Sequence, residues 1–204
     1  MPIDKIDNLS RKIAFIAVIF GVIALVFVCV GISTPNWESS YTNTGVASYS
    51  LSGTANFFFT CHFTNGSYNN CTTRTGNLIG YPRYSSSYSW MTDYYVRIQN
   101  AAGLCIVGIL FLGFGTIMTL IMAIIPLSTW INLIPSISLF FACLFMLAGM
   151  AEGSRYLLYN NYSANLYQTG HLFTMLTLFL TAFTTGRIHF SRMKEKAVNT
   201  IARK

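Results

Sequence analysis

Four stretches of the sequence contain no charged residue and are each about as long as the roughly 20 apolar residues that cross a bilayer. They cover residues 13–32, 101–125, 131–151 and 166–186. Only 9% of all residues are charged, against about 25% in an average soluble domain. The sequence therefore predicts an integral membrane protein in which residues 1–204 form one membrane domain with four transmembrane helices.

The fourth stretch is less apolar than the others because Gln168 and His171 lie near its start and threonines follow. A threonine hydroxyl can donate to a backbone carbonyl one turn back, so a spanning helix tolerates it. We therefore expect residues 166–186 to span the membrane as well. The threonines of this stretch are Thr169, Thr174, Thr177, Thr181, Thr184 and Thr185.

The basic residues predict the orientation. Of 13 Lys and Arg residues, three precede the first stretch and six follow the last. Basic residues favour the cytoplasmic side, and four spans place both termini on one side. We expect a multi-pass protein of the plasma membrane with cytoplasmic termini and with residues 33–100 and 152–165 outside. Anionic cytoplasmic lipid accounts for the net charge of +7. Nucleic acid is not expected as a partner, because no aromatic platform accompanies the basic residues.

Glycosylation signals agree with this orientation. Sequons begin at Asn65, Asn70 and Asn161, all within predicted outside loops, and these three are candidate N-glycosylation sites. Asn70 directly precedes a cysteine, which makes its use less expected. A fourth sequon at Asn8 lies on the predicted inside and should stay unmodified.

Cys61 and Cys71 are the only cysteines in the predicted outside loops. Because the cell exterior is oxidising, they predict a disulfide that stabilises the loop by about 2–3 kcal/mol. The alternative is a metal site with His62 as third ligand, but structural zinc requires four ligands. The surrounding sequence alternates as β-strands do, and Asn65-Gly66 is a strong hairpin signal. The bridge should therefore join two antiparallel strands.

Catalytic chemistry has little support in the sequence. It contains three His and six acidic residues, and none of the common nucleotide, hydrolase or metalloprotease motifs. No charged residue lies within a predicted span, as a proton relay would require. We expect no enzymatic activity, no cofactor and no metal.

Small residues recur in the second and third stretches, including Gly103, Gly108, Gly113, Gly115 and Gly149. Small residues allow helices to approach closely in lipid. Two interpretations remain open: these residues pack the helices of one molecule against each other, or they form an interface with another membrane protein.

Trp37, Cys61 and Cys71 in the first outside loop have a characteristic spacing. Trp37 follows the first stretch, Cys61 comes 24 positions later, and Cys71 ten positions after that. With four spans, a β-rich first loop and a short second loop, this arrangement resembles the claudin superfamily. That superfamily includes claudins, peripheral myelin and epithelial membrane proteins, and the gamma subunits of calcium channels and glutamate receptors.

The resemblance extends to the family motif Trp, Gly-Leu-Trp, Cys, Cys. Asn56, Phe57 and Phe58 stand at the Gly-Leu-Trp positions, so aromatic character is kept at Phe58 while Gly and Trp are replaced. Arg97 corresponds to the family's basic residue at the start of the second span. The chain thus resembles a divergent, invertebrate-like member. We expect Phe57, Phe58 and Phe59 to help dock the outer sheet onto the helices, and Trp37 to lie where the first helix meets water.

The resemblance implies a membrane α+β fold: a four-transmembrane helix bundle with a small extracellular antiparallel β-sheet. It implies a function in cell–cell junctions, adhesion or a paracellular barrier, through self-association of the outer loops. The alternative is an auxiliary subunit in a channel or receptor complex, a role that the longer segment between Cys71 and Arg97 favours. The lipid bilayer is a partner in either case.

Overall fold

The computed structural model of the protein describes residues 8–45, 48–64, 67–73, 89–125, 128, 130–155 and 157–201. Within these ranges the chain forms four α-helices and one antiparallel sheet, with a short 3-10 turn, Ile131–Leu133, before the third helix. The elements in order are α1 (Asn8–Ser33), β1 (Glu38–Gly45), β2 (Ser48–Ala55), β3 (Phe59–Thr64), β4 (Ser67–Thr73), α2 (Ser89–Ile124), α3 (Ile134–Gly153) and α4 (Tyr162–Ile201).

Among the described residues, three helices are long and apolar enough to cross a membrane. They are α1, the part of α2 from Val96 to Ile124, and the segment Ile131–Gly153 that contains α3. The protein is therefore a membrane protein that contacts lipid, and the first three predicted stretches form helices as expected. The fourth stretch lies within α4, which is not among these three, because its threonines and its polar start lower its mean hydropathy.

The helices continue beyond the uncharged stretches. α2 begins at Ser89, so its first turns fall within residues 33–100, which the sequence predicts as a loop. α4 continues past residue 186 to Ile201. A helix satisfies its own backbone hydrogen bonds, so polar side chains can extend it past the apolar segment. The uncharged stretches therefore locate the helices but not their ends.

The helices pack as two close pairs, α1 with α4 and α2 with α3. Small residues permit the approach. A Cβ on Gly149 would lie 2.9 Å from the Ala101 carbonyl oxygen, and one on Gly108 would lie 3.0 Å from the Met146 nitrogen. Gly115 likewise meets Leu139. At these three positions the small residues pack helices within one molecule.

Five of the six threonines in the fourth predicted span, all but Thr169, are buried against the bundle. Thr174, Thr177 and Thr184 are fully buried, and each hydroxyl donates to the carbonyl four residues earlier at 2.8–2.9 Å. The opposite side of α4 exposes large apolar side chains, among them Leu172 and Phe179. The expected pairing of threonine with the preceding turn is thus present, and the apolar face of α4 points away from the other helices.

The sheet is a meander in the order β1-β2-β3-β4, with every neighbouring pair antiparallel. Cys61 on β3 is opposite Cys71 on β4, and the two form a disulfide, as predicted. Thr64 pairs with Ser67, so β3 and β4 form the expected hairpin. The predicted turn residues, Asn65 and Gly66, lie outside the described residues.

Candidate functional site

Trp37 is at the centre of the junction between the sheet and the helices. It is fully buried, and its ring centroid lies 4.6 Å from that of Phe57, 5.1 Å from Tyr159 and 5.3 Å from Tyr167. Its indole Nε1 donates to the carbonyl of Gly31 at 2.6 Å. The expectation that Trp37 meets water at the end of α1 is therefore wrong, because the aromatic rings of the sheet and of the α3–α4 region cover it.

Asn56 occupies the corner between β2 and β3 and is also fully buried. Its Oδ1 accepts from the backbone N–H groups of Phe58 at 2.8 Å and Phe59 at 2.7 Å. Its Nδ2 donates to the carbonyls of Thr34 at 3.0 Å and Ile32 at 3.5 Å. An amide has two acceptor sites and two donors, so all four are used. The side chain thereby ties the corner of the sheet to the end of α1.

The three consecutive phenylalanines differ in how far they are buried. Phe57 is buried beside Trp37, Phe58 is half-buried against the same cluster, and Phe59 is exposed at 37%. Phe57 also contacts α3, since a Cβ on Gly153 would lie 2.5 Å from its ring. Burying one phenylalanine stabilises by about 1.5–3 kcal/mol. Docking of the sheet by this patch agrees with the expectation, with Phe57 as the main contact.

The connection between α3 and α4 holds the edge of the sheet. Asn160 Oδ1 accepts from the Ser39 N–H at 2.8 Å, and Asn160 Nδ2 donates to the Ser39 carbonyl at 3.1 Å. The amide therefore pairs with β1 as a neighbouring strand would, and an edge that is paired is protected from other chains. Asn161 Nδ2 donates to Ser39 Oγ. Sequence reasoning missed Asn160, because the contact spans 121 positions.

Tyr159 links the same connection to α3. Its hydroxyl donates to the Met150 carbonyl at 2.6 Å. Burial raises the pKa of Tyr159 above its ordinary value, so the phenol stays neutral and remains a donor.

Arg97 joins α2 to α3 at the same end of the bundle. Its Nη1 lies 2.8 Å from Glu152 Oε1, and Arg155 Nε lies 3.8 Å from Glu152 Oε2. The sequence singled out Arg97 by resemblance but did not identify its partner, because the two residues are 55 positions apart.

The structure thus brings Trp37, Asn56, Phe57 and Phe58 into one cluster, with Cys61 on the strand that follows. Arg97 lies in the contact between α2 and α3, where it pairs with Glu152. Of the candidate glycosylation sites, Asn65 is outside the described residues, Asn70 lies on β4 and Asn161 precedes α4. Their modification stays a prediction.

The side chains of Trp37, Asn56, Tyr159 and Asn160 are hydrogen-bonded to other parts of the protein, and the aromatic rings of the junction pack on one another. This arrangement can hold the sheet at a fixed position on the helices. Among the described residues, no group of three or more His, Cys, Asp or Glu side chains could hold a metal ion. No family model matches the sequence, and no curated protein matches it significantly.

Proposed function

We propose that the protein is a claudin-like, four-span protein of the plasma membrane that acts in cell–cell adhesion or a paracellular barrier through contacts of its outer sheet. The observation that carries the proposal is the junction around Trp37 and Asn56, which fixes the sheet on the bundle. A sheet held in this way can present the same surface to every partner. The resemblance in the spacing of Trp37, Cys61 and Cys71 supports the same function.

The arrangement of α4 supports a fourth span. Its threonines from Thr174 to Thr185 are buried against the bundle, while Leu172, Phe179 and Phe183 are exposed by 48–65%. Exposed apolar side chains on a helix packed along α1 are suited to lipid. With four spans, the basic ends of the chain lie on one side, which we assign to the cytoplasm.

The outer end offers an apolar surface for a partner. Leu158 is exposed by 66%, Tyr41 by 61% and Tyr162 by 51%. Aromatic side chains are enriched in protein interfaces. Leu158 is held from its backbone, because its N–H donates to Glu38 Oε2 at 3.3 Å. Its side chain can therefore be changed while this hydrogen bond stays in place.

The test uses two cell populations that express differently coloured copies of the full chain. We expect the protein to accumulate where two expressing cells touch, and Leu158→Ser to reduce this accumulation with unchanged surface level. Arg155→Ala is the matched control, since Arg155 is exposed in the same connection and should leave accumulation unchanged. Absence of accumulation for the wild-type protein at normal surface level would refute adhesion between cells.

Native purification with mass spectrometry distinguishes the adhesion function from the alternative, an auxiliary subunit of a channel or receptor. Self-association predicts particles that contain only this chain. Stoichiometric recovery of a channel or receptor subunit would replace the adhesion proposal with the alternative.

A further inference from the structure

A groove lies between α3 and α4 at the end of the bundle opposite to the sheet. Its cavity volume is about 360 Å³, within the range of about 300–1,000 Å³ typical of ligand pockets. The groove is open to the surface of the molecule. The residues that line it include Trp130, Leu133, Ala182, Thr185, Gly186 and His189.

The wall of the groove is apolar, and a glycine keeps it open. A Cβ on Gly186 would meet no atom within 4 Å, although Gly186 lines the groove. The glycine therefore leaves room for another molecule rather than for a neighbouring helix. Trp130 stands at the groove with 82% of its surface exposed. Exposed tryptophan is enriched where a membrane protein meets the lipid headgroups.

The same end of the molecule is cationic. Arg11 and Lys12 lie in the first turns of α1, and Arg187, Arg192 and Lys194 lie in the last turns of α4. Several basic groups lie over exposed rings: Lys194 Nζ is 5.0 Å from the centre of the Phe190 ring. Long basic side chains take this arrangement where apolar surface meets charged headgroups.

The groove leads towards these cations. Ala182, Gly186 and His189 follow one another at helical spacing on the face that lines the groove. Arg192 comes three residues after His189, a spacing that makes the two side chains neighbours on α4. An occupant whose apolar part lies against Ala182 and Gly186 would therefore bring its polar end to His189 and Arg192.

We propose that this groove is a binding site for an anionic phospholipid of the bilayer. One acyl chain lies along Leu133, Ala182 and Gly186, and the phosphate lies beside His189 and Arg192. Trp130 borders the site at the level of the glycerol backbone. The cation of Arg192 beside the phosphate selects an anionic over a zwitterionic headgroup. This site is independent of the adhesion surface at the other end of the molecule.

The test uses the full chain in lipid nanodiscs with Trp90 replaced by Phe, so that the buried Trp37 and the exposed Trp130 remain. Brominated phosphatidylglycerol and brominated phosphatidylcholine are titrated separately, and tryptophan quenching is recorded. We expect half-maximal quenching at about fivefold lower mole fraction for phosphatidylglycerol, as one added cation at a membrane surface would give. Equal quenching by the two lipids would mean non-selective lipid contact and would overturn the proposal.

Three variants locate the site. Gly186→Leu fills the groove and should abolish the preference, whereas Gly103→Leu should retain it, because a Cβ there also meets no atom within 4 Å. His189→Gln combined with Arg192→Gln should remove the preference but keep quenching by phosphatidylcholine. A preference that survives both changes at His189 and Arg192, or that survives Gly186→Leu, would contradict the proposed site. Monodisperse elution of each variant shows that it folds. The comparison of the two lipids on the protein with an unfilled groove does not depend on any of these variants.

Discussion

Asn56 shows how one side chain holds two parts of this membrane protein together. All of its donor and acceptor sites are used in a fully buried position, between the β2–β3 corner and the end of α1. A glycine there would leave the N–H groups of Phe58 and Phe59 without the Asn56 oxygen, so this chain depends on its amide.

We expect Asn56→Ala to destabilise the protein, because each buried group left without a partner costs about 1–3 kcal/mol. Thermal unfolding of the purified protein in detergent should show a lower midpoint, and less protein should reach the cell surface. Asn100→Ala is the control, since Asn100 is exposed on α2 and should leave the midpoint unchanged. Equal midpoints for Asn56→Ala and the wild-type protein would show that the four hydrogen bonds contribute nothing measurable.

The disulfide between Cys61 and Cys71 can also be tested with changes of single residues. Cys61→Ser and Cys71→Ser should each reduce surface delivery by a similar amount, since either change removes the same bond. The double variant should be no worse than either single variant. Additive losses in a surface-biotinylation assay would mean that the two cysteines act separately.

Among the helices, α1 and α4 approach each other closely at Gly31. A Cβ there would lie 2.8 Å from the Tyr167 backbone nitrogen and 2.9 Å from the Ser163 carbonyl oxygen. The Gly31 carbonyl also accepts the hydrogen bond from Trp37 Nε1. The spacing of the two helices and the position of the sheet therefore depend on the same residue.

We expect Gly31→Ala to destabilise the protein by about 1–3 kcal/mol, the usual cost of overpacking against backbone. Gly103→Ala should be neutral or slightly stabilising, because its Cβ has free space and alanine favours the helix. Chemical unfolding of both variants in mixed micelles provides the comparison. A Gly31→Ala protein as stable as Gly103→Ala would show that the two helices can separate without cost.

The Thr185 hydroxyl ties α4 to the connection before α3, donating to the Asn132 carbonyl at 3.0 Å. The Thr177 hydroxyl donates within α4 itself. Thr185→Val should therefore lower stability by about 0.6–2 kcal/mol, whereas Thr177→Val should change it little. Thermal unfolding midpoints of the two variants in the same detergent measure the difference, and a reversed order would contradict this assignment of the hydrogen bonds.

For the whole molecule, the orientation in the membrane decides which surface meets a partner. If the sheet faces the cell exterior, the sequons at Asn65 and Asn161 are on the side of the membrane where N-glycans are added, and the sequon at Asn8 is not. We expect glycosidase treatment to shift the wild-type band, the Asn65→Gln/Asn161→Gln variant to lose most of this shift, and Asn8→Gln to keep it. Glycan attached to Asn8 would reverse the proposed orientation.

Much of the element order could be predicted from the sequence alone, because in a helical membrane protein an uncharged stretch of about 20 residues forms a spanning helix. The Cys61–Cys71 hairpin was equally accessible, since its two cysteines and its turn signal lie close together. These features depend on local composition and spacing, and they need no knowledge of the rest of the chain.

The tertiary structure decided what the isolated pattern could not. The burial of Trp37, the role of Asn160 at the edge of β1 and the pairing of Arg97 with Glu152 all join residues distant in sequence. The helix ends at Ser89 and Ile201 also depend on backbone hydrogen bonds rather than on hydropathy. Local sequence determined that this protein has spanning helices and a disulfide-linked hairpin, whereas the packing of distant side chains determined how the sheet is held on the helices.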